Sequence, residues 1–82
     1  MKVLYFAWLR ERIAQSEETV DPAGLATVAD LVAALRAKGE RYEAAFADLA
    51  SVRVAVDRKV AGFDAPLAGA GEVAFFPPMT GG

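Results

Sequence analysis

One stretch limits the architecture more than any other: residues 27–39, TVADLVAALRAKG. Val28, Leu31, Val32 and Leu35 recur at i, i+3, i+4 and i+7, the stripe of a helix with one buried face. Thr27 suits the N-cap, and Asp30 three residues on completes a capping-box-like pair. Gly39 fits the position just past the end. The spacing predicts a helix over 28–38. It is the one long amphipathic helix that the pattern supports, and the segments around it are short and rich in strand signals. One such helix covers one face of a sheet and leaves the other open.

Val3 to Leu9 is rich in β-branched and aromatic residues and reads as a strand. Val3, Tyr5, Ala7 and Leu9 point one way; Leu4, Phe6 and Trp8 point the other. A strand apolar on both faces is central in a sheet, or has one face against a helix and the other against something else. Residues 10–15 read as a helical turn. Glu18 to Val20 reads as a short second strand, stopped by Asp21-Pro22 and Gly24. A shorter helix is expected from Arg41 to Ala50, with Tyr42, Ala45, Phe46 and Leu49 on one side. Val52 to Val56 alternates as a half-buried strand. Asp57-Arg58 makes a tight turn, and Lys59 to Ala61 returns. Residues 62–71 read as loop with Leu67 as its buried anchor, and Val73 to Phe76 is the last strand. Helical segments fall between strands without strict alternation, so the expected class is α+β, a mixed sheet with one main helix on one face.

Composition removes whole classes of chemistry. The 82 residues include no histidine and no cysteine. Disulfides, a thiolate nucleophile, a zinc finger and a Ser-His-Asp arrangement are therefore excluded, and no metal site is expected. The formal net charge is −2, and no run of five or six like charges occurs. A nucleic-acid footprint is not expected. Val3 to Leu9 runs straight into Arg10-Glu11-Arg12 without a small-residue cleavage site, which disfavours a signal peptide. No stretch approaches membrane-spanning length. A cytoplasmic chain without a membrane partner is the expectation. Gly69-Ala70-Gly71 lacks the third glycine of a dinucleotide fingerprint and precedes a strand, so it reads as a turn. Glu17, Glu18, Asp57 and Asp64 read as solvated or turn residues. The hydrophobic fraction of 55% exceeds the usual value of about 45–50%, which points to a dense core or to apolar surface meant for a partner.

The chain ends EVAFFPPMTGG. Glycine makes up about 7% of average sequences, so a terminal pair arises by chance roughly once in 200 chains; its context matters more. Pro77 and Pro78 cannot donate backbone hydrogen bonds, so the sheet must stop there, and they favour an extended path. Residues 77–82 fully stretched reach roughly 20 Å. Without a Cβ, Gly81 and Gly82 fit a channel too narrow for side chains. The group such an arm delivers is the α-carboxylate of Gly82. With a pKa near about 3.3–3.7 it is ionised at neutral pH and is a poor electrophile. Acyl chemistry at Gly82 requires activation, for example as a mixed anhydride with AMP, and this chain has no means of performing it. An idle end after a proline stop is the competing reading.

Alternation in the last strand bears on the same question. With Val73 and Phe75 toward the helix, Ala74 and Phe76 face outward. Pairing that strand with the first puts Phe6 on the same outer face, and Val60 on the return strand joins them. An exposed patch of this kind marks a binding surface. The inverted assignment, with Phe6 and Phe76 in the core, is the alternative.

The segments KVLYFAWLRE, TVADLVAAL, FDAPL and EVAFFPPMTGG together closely resemble the family of small, sulfur-carrier subunits of molybdopterin synthase. The resemblance runs in register over nearly the whole chain, and FFPP followed by two residues and a terminal Gly-Gly is its most specific part. It implies a ubiquitin-like β-grasp domain over 1–76 and an extended arm over 77–82. It implies that Gly82 is adenylated by an ATP-using activating enzyme, becomes a thiocarboxylate and donates sulfur to a pyranopterin precursor in the large synthase subunit, with Gly81 beside it. The chain itself would bind no cofactor and would not be an enzyme alone. Phe6, Val60, Phe76, Pro77, Pro78, Met79 and Thr80 match the positions that meet the two partners. Arg10 and Glu11 match a recurring pair. Ala70-Gly71-Glu72 stands where the family often has Gly-Asp-Glu, and Trp8 on the outer strand face would widen the patch. A ubiquitin-like modifier joined to lysines, a carrier for another pathway such as thiamine synthesis, and a non-covalent binding module with an idle tail are the alternatives.

Overall fold

The computed structural model describes residues 1–78. Residues 79–82, and with them the expectations for Met79, Thr80, Gly81 and Gly82, lie outside the described residues. The elements are β1 (Lys2–Tyr5), α1 (Ala7–Ile13), β2 (Glu17–Thr19), α2 (Val28–Arg36), α3 (Glu40–Ala45), a short 3-10 turn (Leu49–Ser51), β3 (Arg53–Val56), β4 (Lys59–Ala61) and β5 (Glu72–Phe76). The strands form one mixed sheet in the order β2-β1-β5-β3-β4. The central pair β1–β5 is parallel, with Tyr5 beside Phe75. The remaining neighbours are antiparallel.

Expected and observed elements differ most at the first strand. It was expected to run from Val3 to Leu9, but β1 ends at Tyr5 and α1 follows at once. Phe6 is the N-cap, still extended, and Ala7 turns the chain at φ +54. The Phe6 amide donates to the Phe75 carbonyl at 3.1 Å, which closes the ladder. Leu9 and Ile13, four apart, then bury the inner side of α1. A short apolar run fits either period, and here the helical one wins because Leu9 and Ile13 meet the core only from a helix. Trp8 accordingly leaves the sheet. It sits on α1 with the Arg12 guanidinium 5.0 Å from its ring, so it does not widen the sheet patch.

The capping box expected at Thr27 is present. The Asp30 amide donates to Thr27 Oγ1 at 3.3 Å, and the Thr27 amide donates to Asp30 Oδ2 at 3.1 Å. The loop over 62–71 adds a second cap. Its Phe63 and Ala65 carbonyls accept from the amides of Ala29 and Val28 at 2.8 and 3.0 Å. Those amides have no partner inside the helix. Leu67, 3% exposed, fastens the loop to the core as expected. The second helix is shorter than the sequence pattern, ending at Ala45, with Leu49 carried by the 3-10 turn. Gly69 sits at φ +76 in a turn, matching that expectation.

All three helices cover the inner face. Val3, Tyr5, Val54, Val73 and Phe75 from the sheet meet Leu9, Ile13, Val28, Leu31, Leu35 and Phe46. Phe75 is the hub, with Phe46 edge-on at 5.0 Å and Tyr5 stacked at 6.3 Å.

Glu18 corrects another expectation. Read as solvated, its side chain is only 9% exposed. It stands opposite Val3 on the inner face of the edge strand. Its Oε2 accepts from the hydroxyls of Tyr5 and Tyr42 at 2.7 and 2.8 Å, and its Oε1 takes the Lys38 ammonium. Gln15 donates to the Tyr42 hydroxyl at 2.7 Å. A carboxylate on the buried face of a short strand is tolerable only when its oxygens are filled. Here its three partners come from β1, from α3 and from the segment after α2, and Gln15 after α1 supports one of them, Tyr42. Burial works against the charge on Glu18, but the Lys38 and tyrosine hydrogen bonds outweigh it and hold the carboxyl below its ordinary range. Burial chiefly, with Glu18 behind it, pushes the Tyr5 hydroxyl far up.

A depressed carboxyl contributes stability that is complete above the unfolded-state pKa, near about 4.3, and is lost as pH falls through the folded value. The thermal midpoint of the wild type should therefore fall steeply below that pH. Glu18→Gln should lower the midpoint at pH 7 and flatten the acid limb. Parallel melts from pH 7 to 3 check this, and an equally steep acid limb in Glu18→Gln would place the acid sensitivity elsewhere.

Candidate partner-docking site

The outer face of the sheet carries no helix. Register fixes which residues stand on it, because paired residues on neighbouring strands share a face. One row crosses the sheet through Glu17, Leu4, Ala74, Ala55 and Val60. Phe76 pairs with Arg53 in the next row. Phe6 follows β1 at the same level and is 45% exposed. Phe6 and Phe76 are thus outside the core, and the inverted assignment is excluded.

Leu4, Phe6, Ala74, Phe76, Pro77 and Pro78 line an open groove of about 710 Å³, and Arg58 and Glu72 close its other end. The groove follows β5. Its aromatic end is where β5 passes into the two prolines, both half-buried. The Pro77 nitrogen has no hydrogen to give, so the ladder stops and the chain leaves from the groove itself.

Of the residues expected to meet a partner, Phe6, Phe76, Pro77 and Pro78 converge here. Val60 does not line the groove. It lies on the same face two strands away, across Ala55. At 77% exposed it is a second apolar point rather than part of one pocket. Trp8 lines a separate cleft of about 330 Å³ with Arg12, Asp48 and Ser51. The arginine at the far end was legible only as a turn residue. Asp57, also read as a turn residue, does more: its Oδ1 accepts from the Gly71 and Glu72 amides at 3.0 Å each, pinning the β3–β4 turn to the start of β5.

The groove's chemistry is that of a binding surface. It is aliphatic and aromatic apart from one pair, Arg58 Nε and Glu72 Oε2, 4.0 Å apart. Among the described residues no group of three or more His, Cys, Asp or Glu side chains could hold a metal ion. Among them also, no helix is long and apolar enough to cross a membrane.

A mixed sheet with a central parallel pair, helices on one face and a bare opposite face is the β-grasp fold of ubiquitin-like proteins. The chain belongs to the ThiS family, whose model matches residues 3–82. It is 39% identical over 82 residues to the molybdopterin synthase sulfur carrier subunit of Escherichia coli K12, covering 100% of this chain and 99% of that one. Among solved structures it is similar to the putative molybdopterin converting factor, subunit 1, of Pyrococcus furiosus, with TM-score 0.75, 29% identity and 95% of both chains covered. It is likewise similar to small archaeal modifier protein 1 of Haloferax volcanii, with TM-score 0.74 and 26% identity over 96% of this chain and 97% of that one.

The two faces of the sheet should respond differently to substitution. Phe75→Ala, in the aromatic hub, should cost about 3–5 kcal/mol. Val60→Lys, on the open face of an edge strand, should stay within about 0.5 kcal/mol of wild type. Denaturant titration of both variants checks the assignment, and a comparable loss in Val60→Lys would mean that the face is not open.

Proposed function

We propose that this protein is the sulfur-carrying small subunit of a molybdopterin synthase. The reading rests first on the 39% identity over both full lengths to a curated sulfur carrier subunit. The observation that carries it is the continuity of β5 with Pro77-Pro78 along the groove. A protein that docks on this face takes hold of the root of the arm, and so sets where Gly82 goes.

In this reading the chain is not a catalyst alone, and the catalytic residues belong to the large subunit. Gly82 carries the reacting group. Its carboxylate is first made electrophilic as an adenylate by a separate ATP-using enzyme, because a carboxylate anion resists nucleophilic attack. A sulfide-level nucleophile from a separate sulfur donor then attacks the acyl carbon, the acyl–phosphate bond breaks with AMP as leaving group, and the thiocarboxylate is presented to the pyranopterin precursor. Gly81 keeps the arm narrow. Pro77 and Pro78 stiffen its root, and Met79 and Thr80 lie along the passage. Phe6, Val60 and Phe76 hold the partner through apolar contact. The chain binds no cofactor of its own. A cytoplasmic location, where ATP is at hand, fits this role.

A second reading has one observation in its favour: the Haloferax volcanii neighbour is a modifier protein by name. Both readings begin with activation of Gly82 and part at the product. Intact-mass measurement on the chain purified from cells separates them. A carrier gives a free chain heavier by the difference between one sulfur and one oxygen atom. Adducts through Gly82 on many lysines, with no thiocarboxylate, would overturn the carrier reading.

Two variants test the parts. Gly81→Ile should leave the unfolding midpoint unchanged and abolish thiocarboxylate formation or sulfur transfer; a fully active variant would remove the narrow-channel role. Phe76→Asp should weaken binding to the large subunit by more than about 1 kcal/mol, as loss of a buried interface aromatic does. Calorimetric titration reads this, and unchanged affinity would take Phe76 out of the interface.

A further inference from the structure

We propose that Arg58 is a specificity residue of the docking face: its guanidinium, at the far end of the groove from Phe76, takes a carboxylate of the docking protein and so selects partners that are acidic at that point. The proposal rests on the docking reading above.

The argument begins with the backbone. Asp57 and Arg58 form the two-residue turn between β3 and β4, at φ +48 and +70. A hairpin turn with both central residues at positive φ favours sequences such as Asn-Gly or Asp-Gly. Asp57 is accounted for by the Gly71 and Glu72 amides it accepts and by its own amide, which donates to the Glu72 carbonyl at 2.9 Å. Arg58 has no such return within the domain. Glycine would hold φ +70 without a Cβ in the way. The arginine side chain is 89% exposed, and its pair with Glu72 spans 4.0 Å. An exposed pair at that distance contributes little. A non-glycine residue held at positive φ, whose cost the domain does not recover, points to a use outside the domain.

Position supplies the use. Arg58 lines the same groove as Phe6, Phe76, Pro77 and Pro78, separated from them by the length of β5. Lys59, next in sequence, falls on the inner-face row with Val56 and Val73, and the other cations of the outer-face rows are engaged. Arg53, beside Phe76, turns its Nη1 back to the Ala50 and Val52 carbonyls at 3.0 and 3.2 Å. Lys2 pairs with Glu17 at 3.6 Å. Among the described residues Arg58 keeps most of its donor fork uncommitted at the rim of an apolar surface. A guanidinium there matches a carboxylate in two-point geometry. The whole chain is acidic, with formal net charge −2. Attraction of an acidic patch must therefore come from a local cation. Rim charges of this kind set association rate and register more than final affinity.

The test uses the full-length protein and the large synthase subunit of the same organism. Association rates are measured by stopped flow at low and physiological salt for wild type, Arg58→Gly, Arg58→Glu and Phe76→Asp, with thermal midpoints of each. Arg58→Gly should melt higher than wild type, associate about 3- to 10-fold more slowly and lose most of its salt dependence. Arg58→Glu should be slower still. If Arg58→Gly binds at the wild-type rate with the same salt slope, the proposal fails. If it melts lower, the arginine is structural and the proposal also fails. Either result leaves the docking face standing provided Phe76→Asp is defective. If Phe76→Asp binds normally, the docking reading itself falls.

Discussion

The parallel pairing of β1 with β5 is the constraint on which the rest of the molecule depends. It places Tyr5 beside Phe75 on the inner face, where the aromatic hub forms with Phe46. By the same alternation it places Leu4 beside Ala74, and Phe6 level with Phe76, on the outer face. Core and groove are two sides of one register. A slip of one residue would exchange them, turning the packed aromatics outward and the groove-lining ones inward. Burial of Val3, Tyr5, Val73 and Phe75 to 1% exposure or less opposes any such slip.

How much of this could be read from the chain depends on how far each signal reaches. Helical periodicity across Val28 to Leu35 located α2, period-two alternation located β3, and the turn signal at Asp57-Arg58 placed the return strand β4, because those patterns are local. The end of β1 was not legible. Val3 to Leu9 is apolar at every position and fits a strand or a helix equally, and only the tertiary demand for Leu9 and Ile13 in the core decides. Glu18 was not legible either. Its partners Tyr5, Lys38 and Tyr42 are scattered along the chain, and nothing in EET marks the middle residue as inward. Alternation put Phe6 and Phe76 on one face, and only the packed structure decides that this face is the outer one. Arg58 was not legible, since its interest lies in a backbone angle and in a groove that several strands build together.

The small size of the domain makes its open face affordable only because the inner face is densely finished. The loop over 62–71 fills the first amides of α2, the Thr27–Asp30 box fills others, and Glu18 ties the edge strand to three other segments. With polar groups settled there, the sheet can present aromatics to solvent without a second layer of helices. A two-layer arrangement with one bare side follows directly from placing all of α1, α2 and α3 on the other.

The junction at Phe6 has a consequence for how such a molecule can change over generations. Its main chain does the architectural work, donating its amide to Phe75 and lending its carbonyl to Leu9 as α1 begins, while the ring hangs free of the interior. Foundation and fitting are thus separated at a single residue. Lineages can exchange that ring, and with it the character of the bare face, without rebuilding the house it is attached to.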